Sequence, residues 1–167
     1  MGQIPPSIIF YEGPYDMEKL YRGIYSFLNA RLYKTEEKNY KNKPPELEIA
    51  LDSKRNVTTY IRYVISTEFH FWGLKEIEMM VGNEKKRMKH ARIKITLSGE
   101  VVTGYEDIFR TGYWQSSYFV LKLREFIDKW VLRKDLDFYE DDLYYEIVAL
   151  DSFIKETLGM ESATSAF

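Results

Sequence analysis

The chain has 167 residues, 45% of them hydrophobic and 30% charged, with a formal net charge of −2. It is large enough for one domain with a single core and too apolar to be disordered. Absent cysteine excludes disulfides, Cys-ligated zinc, iron–sulfur clusters and thiol nucleophiles; with only two histidines, a multi-histidine metal site within one chain is not expected. The acidic balance argues against a wholly basic nucleic-acid binder. No stretch approaches the roughly 20 apolar residues of a spanning helix, and no secretory signal is read at the N-terminus, so an intracellular, cytoplasmic protein is expected. Abundant Lys and Glu with few Gln follow the compositional drift of thermophile proteins.

Residues 1–14 carry three prolines and two glycines and read as an extended arm. Within it Ile8, Ile9, Phe10 and Tyr11 could form an edge strand or dock on the body. A single domain is expected over 15–160, with a polar tail at 161–167. Asp16 is a good N-cap, and Met17, Leu20, Ile24, Phe27, Leu28 and Leu32 recur with the helical period. Thr35 to Pro45 reads as a charged loop.

The period then becomes two. Leu47, Ile49 and Leu51 alternate with polar neighbours, and Asp52 to Asn56 reads as a turn. Val57 to Trp72 is a long strand pattern with an apolar face and a mixed one. Gly73 marks a turn or bulge. Ile77, Met79 and Val81 alternate again, as do Ala91, Ile93, Ile95 and Leu97; Val101-Val102 could add a fifth strand.

Helical periodicity returns after Gly112 in Phe119, Leu123, Phe126, Ile127 and Trp130. Asp135 or Asp137 could cap a last helix striped by Leu136, Leu143, Ile147, Leu150, Ile154 and Leu158, with Gly159 as its stop. The expected fold class is α+β: an antiparallel β-meander of four or five strands, with an N-terminal helix and a C-terminal helical hairpin on one face.

Three functional readings follow. The leading one is a non-enzymatic interaction or assembly module that self-associates as a homo-oligomer or binds a protein partner. It would bury aromatic-rich helix faces through Trp114, Tyr118, Leu121, Tyr139, Tyr144 and Tyr145. The second is a nucleic-acid-binding accessory protein whose basic hairpin carries Lys85, Lys86, Arg87, Lys89, Arg92 and Lys94. A turn near Lys85 would set Glu78 against Arg92 and Glu76 against Lys94 as solvated cross-strand pairs. The third is a binder of an apolar small molecule in a sheet–helix cavity near Glu68, His70 and Trp72, which share one side of a strand. No nucleophile motif, phosphate loop or cation-binding spacing appears, so no catalytic residues, cofactor or metal are expected. The acids Asp135, Asp137, Glu140, Asp141 and Asp142 read as ordinary helix-start residues.

Overall fold

The structure, a computed structural model, describes residues 2–104, 118–126, 129 and 132–160. Five antiparallel strands form one sheet in the order β1-β5-β4-β3-β2. They are β1 (Gly2–Tyr15), β2 (Lys34–Lys43), β3 (Glu46–Asn56), β4 (Ile61–Val81) and β5 (Glu84–Thr103). Helices α1 (Met17–Ala30), α2 (Tyr118–Phe126) and α3 (Leu132–Thr157) complete the chain. The α+β class and the antiparallel sheet are as expected, and no helix among the described residues is long and apolar enough to cross a membrane.

Helix α1 forms where the periodicity places it. Asp16 has extended backbone and accepts from the Lys19 N–H at 3.1 Å, and Leu20, Ile24 and Leu28 are buried. The stripe stops one turn early. Leu32 lies beyond the helix in a left-handed conformation (φ 64°) and is exposed. Because β1 and β2 are the two edges of the sheet, α1 runs across one face between them. Helix α3 packs on the same face against β1, β5 and α1. It buries Leu143, Ile147, Leu150, Ile154 and Leu158, and Gly159 (φ 70°) ends it. The approach is close at Gly99 of β5, where a Cβ would lie 2.4 Å from Ile147 Cδ1.

The core lies between these helices and the inward residues of the strands, chiefly Tyr63, Ile65, Phe69 and Phe71 of β4 and Ile93, Ile95 and Leu97 of β5. A polar cluster closes one end. Arg55 pairs with Glu146 at 2.7 Å and lies over the rings of Tyr33 and Tyr63. Tyr33 donates to Glu146, and Tyr63 donates to Asp142 at 2.9 Å.

The N-terminal arm is an edge strand, one of the two expected alternatives: β1 pairs with β5 from Gly2 to Tyr15. Several other expectations are corrected. The expected loop at 35–45 is mostly strand β2, paired along β3. Its ladder hydrogen bonds and contacts such as Thr35 Oγ1 to Ser53 Oγ (2.9 Å) hold a strand with little apolar patterning. The expected turn at 52–56 is the end of β3. Residues on either side of Gly73 belong to one strand, β4, which bulges between Trp72 and Lys75. The bulge shifts the alternation by one residue, so a single strand reads as two.

The C-terminal helical hairpin is not seen among the described residues: the helix that packs beside α3 is α1. Helix α3 also begins earlier than either expected cap. Asp135 lies within its first turn, and Asp137, Glu140, Asp141 and Asp142 follow inside the helix.

The β4–β5 hairpin turns at Gly82-Asn83, with Val81 opposite Glu84 and Gly82 at φ 64°. Glu78 therefore faces Arg87 and Glu76 faces Lys89, in place of Arg92 and Lys94. A two-residue Gly-Asn connection suits the twist of paired strands, and it moves the register away from a turn near Lys85. Strand β1 pairs β5 as far as Lys89, opposite Glu76; from Ile77 to Val81, β4 and β5 pair only with each other among the described residues. This end of the pair is an arm reaching about 17 Å beyond the sheet.

Candidate ligand groove

The arm, the start of α1 and strand β2 enclose a groove on the helix-bearing side of the sheet. Its volume is about 510 Å³, within the roughly 300–1,000 Å³ typical of small-molecule sites. Tyr15, Met17, Tyr21, Tyr40, Ile49 and Met88 form its largely apolar walls. Asp16, Glu18 and Glu37 line one part of the rim and Arg87 and Lys89 another.

Chain topology puts these residues together. Tyr15 ends β1 opposite Lys89, and α1 begins two residues later, which brings Met17 and Tyr21 alongside. Tyr40 sits opposite Ile49 on the neighbouring pair of strands. The arm is tied to the helix start by Lys86 Nζ, 2.9 Å from Asp16 Oδ2. The Lys86 ammonium and the Lys19 N–H hold the Asp16 carboxyl below its ordinary range. Tyr21 donates to Glu37 Oε2 at 2.7 Å and lies 3.3 Å from the Tyr25 hydroxyl. Burial first, then these two partners, push the Tyr21 phenol up.

Tyr15 is the odd member. It is 3% exposed and stacks on Phe71 with centroids 5.7 Å apart. Its hydroxyl is buried and has no hydrogen-bond partner among the described residues. Burial pushes its phenol up, so the group stays a protonated donor at neutral pH. The sequence reading missed this groove, because Tyr15, Tyr40 and Met88 lie in three separate segments. The only local signal was the Asp16 cap beside Tyr15.

The residues expected to bind ligand lie elsewhere. Glu68, His70 and Trp72 project from the sheet face that bears no helix; His70 stacks on Trp72 at 3.8 Å, and Glu68 is exposed. Strand pairing adds residues that the sequence could not place there. Glu48 is directly opposite His70, and Glu46 lies one step along the same face. Glu48, Glu68, His70, Lys94, Thr96 and Asn39 border a cavity of about 300 Å³.

The basic residues are dispersed. Lys85, Lys86 and Arg87 are on the arm and Lys89 is at its base, with Lys86 held by Asp16 and Arg87 4.0 Å from Glu78. Arg92 lies 3.6 Å from Glu12, and Lys94 is beside His70 on the helix-free face. Of the expected interface residues, Tyr118, Tyr144 and Tyr145 are exposed on α2 and α3. Tyr139 is half-buried, with its ring edge-on to Tyr63 at 6.3 Å, which makes it part of this chain's own packing. Trp114 and the Leu121 side chain lie outside the described residues.

No protein-family model matches the chain, and comparison with curated proteins and solved structures gives no match.

Proposed function

We propose that this domain binds a small, ring-bearing amphipathic molecule in the groove between the arm, α1 and β2. The observation that carries the reading is the Tyr15 hydroxyl, a buried donor without a partner in a residue that lines a mostly apolar groove. A buried unsatisfied donor costs about 1–3 kcal/mol, and a ligand acceptor that reached it, after a shift of the side chains covering it, would recover it. Tyr21, Tyr40, Met17 and Met88 offer faces for an apolar ring. The rim carries both signs, Asp16, Glu18 and Glu37 against Arg87 and Lys89, so an anionic end of a ligand would sit at the Arg87–Lys89 part of it. The site would select by shape and by one hydrogen bond, as pockets with few polar groups do.

The dye 8-anilinonaphthalene-1-sulfonate has the required rings and anion. Its fluorescence titration should saturate at one site per chain. Met88→Glu should weaken binding at least tenfold, whereas Phe126→Ser on α2 should leave it unchanged. Binding that survives Met88→Glu and is lost in Phe126→Ser would refute the groove and move the site to the helices.

A second reading, self-association, is favoured by a specific feature. Phe119 and Leu123 of α2, with Phe138, Tyr144, Tyr145 and Val148 of α3, are exposed. Their apolar surface is available to a second copy of the chain. Native mass spectrometry tests it. A dimer converted to monomer by Tyr145→Ser would support this reading, and a wild-type monomer at high concentration would end it.

A further inference from the structure

We propose that Glu46, Glu48 and His70 form a binding site for a divalent first-row transition metal ion, on the sheet face opposite the groove. The ligand atoms of these three side chains all lie within 4.8 Å of one another. His70 Nε2 is 3.7 Å from Glu46 Oε2 and 3.8 Å from Glu48 Oε1. Both separations are too long for hydrogen bonds. Nε2 is buried and has no hydrogen-bond partner among the described residues. A buried imidazole nitrogen facing two carboxylates, and bonded to neither, is the arrangement an intervening cation would satisfy.

The spacing fits. Oxygen and nitrogen ligands about 2.1 Å from one ion sit roughly 3.0–3.4 Å apart. With no two of the ligand atoms more than 4.8 Å apart, each pair would have to close by at most about 1.8 Å to reach that spacing. One supporting contact is in place. The His70 ring is held against Trp72, with 19° between the planes. Lys41 Nζ lies 4.0 Å from Glu48 Oε2, the oxygen that does not face His70, as a solvated ion pair. The strands are anchored by packing at this point: Leu47, Ile49, Phe69 and Phe71, which alternate with the three ligands, are all core residues.

The donor set names the class of ion. One imidazole nitrogen with two carboxylates suits zinc, manganese, iron or cobalt, whereas calcium and magnesium prefer oxygen alone. Three protein ligands leave coordination positions for water or an exogenous ligand. The adjoining 300 Å³ cavity, with Asn39, Lys94 and Thr96 on its walls, has room for that ligand.

The test uses chelator-stripped full-length protein and two metals alone. Co²⁺ titration should produce visible d–d absorption bands, and Zn²⁺ calorimetry should give one ion per chain. His70→Ala should lower Zn²⁺ affinity about 100-fold, and Glu46→Gln and Glu48→Gln about tenfold each. His90→Ala should leave it unchanged. Glu46 is exposed, so Glu46→Gln keeps the test valid even if His70→Ala fails to fold. Absence of Co²⁺ bands, or wild-type affinity in the Glu46→Gln and Glu48→Gln variants, would overturn the proposal.

Discussion

Replacing Tyr15 with Phe removes one oxygen and nothing else. The ring is 3% exposed and stacks on Phe71, a contact that Phe keeps. The hydroxyl it loses has no partner among the described residues, so its burial is a cost without a return. Recovering part of a penalty of about 1–3 kcal/mol should stabilise the ligand-free protein by about 1 kcal/mol. With a urea slope near 2 kcal/mol/M, the midpoint should rise by about 0.5 M. Urea unfolding followed by circular dichroism and fluorescence measures this directly. Thr67→Val is the parallel case: Thr67 is fully buried and its Oγ1 also has no partner among the described residues, but it does not line the groove. It should stabilise by a similar amount and leave dye binding unchanged, whereas Tyr15→Phe should weaken binding of a ligand that accepts its hydrogen bond. A loss of about 1 kcal/mol or more in Tyr15→Phe would refute the reasoning, since that is the signature of a hydroxyl with a partner.

Three further outcomes can be checked by the same unfolding assay. Gly99→Ala should cost about 1–3 kcal/mol, because its Cβ would meet Ile147 Cδ1 at 2.4 Å. Ile147→Val deletes that atom, so the double variant should recover more than about 0.5 kcal/mol relative to the sum; additive effects would place α3 elsewhere on the sheet. Glu146→Gln should cost about 3 kcal/mol, since it leaves Arg55 four-fifths buried beside Tyr33 and Tyr63 without its carboxylate. A loss under about 1 kcal/mol would mean that the pair is fully solvated. The Asp16 carboxyl titrates lower when folded, so its contribution is present above the ordinary carboxyl range and is lost as pH falls through the folded value. Stability of Lys86→Met should therefore depend less on pH than wild type as pH falls below the ordinary carboxyl range. An identical pH profile would remove Lys86 as the cause.

The two packed helices were legible in the sequence because a buried stripe repeats every 3.6 residues wherever a helix lies on a core. Asp16 set the start of α1 for a local reason, its side chain being within reach of the Lys19 N–H. The inward face of β4 from Ile61 to Phe71 was equally plain, since period-two alternation is strong where one face is dry. Strand β2 was not legible: its residues are mostly exposed, and its structure comes from pairing with β3. The bulge at Gly73 hid the continuity of β4, although Gly82-Asn83 between alternating runs carried a readable turn signal. Of the sites, Glu68, His70 and Trp72 could be assigned to one side of a strand. Glu46 and Glu48 could not be joined to them without the register of β3 on β4.

Cysteine chemistry is excluded, the α+β class is indicated, and the inward faces of α1, α3 and β4 are marked by the order of residues along the chain. Those properties depend on composition and on near neighbours, whose spacing is set by the backbone period. Folding in three dimensions is what sets Glu48 opposite His70 and Arg87 opposite Glu78, and gathers Tyr15, Tyr40 and Met88 around one groove. These meetings depend on strand order and register, and a shift of a single residue would turn each side chain to the other face.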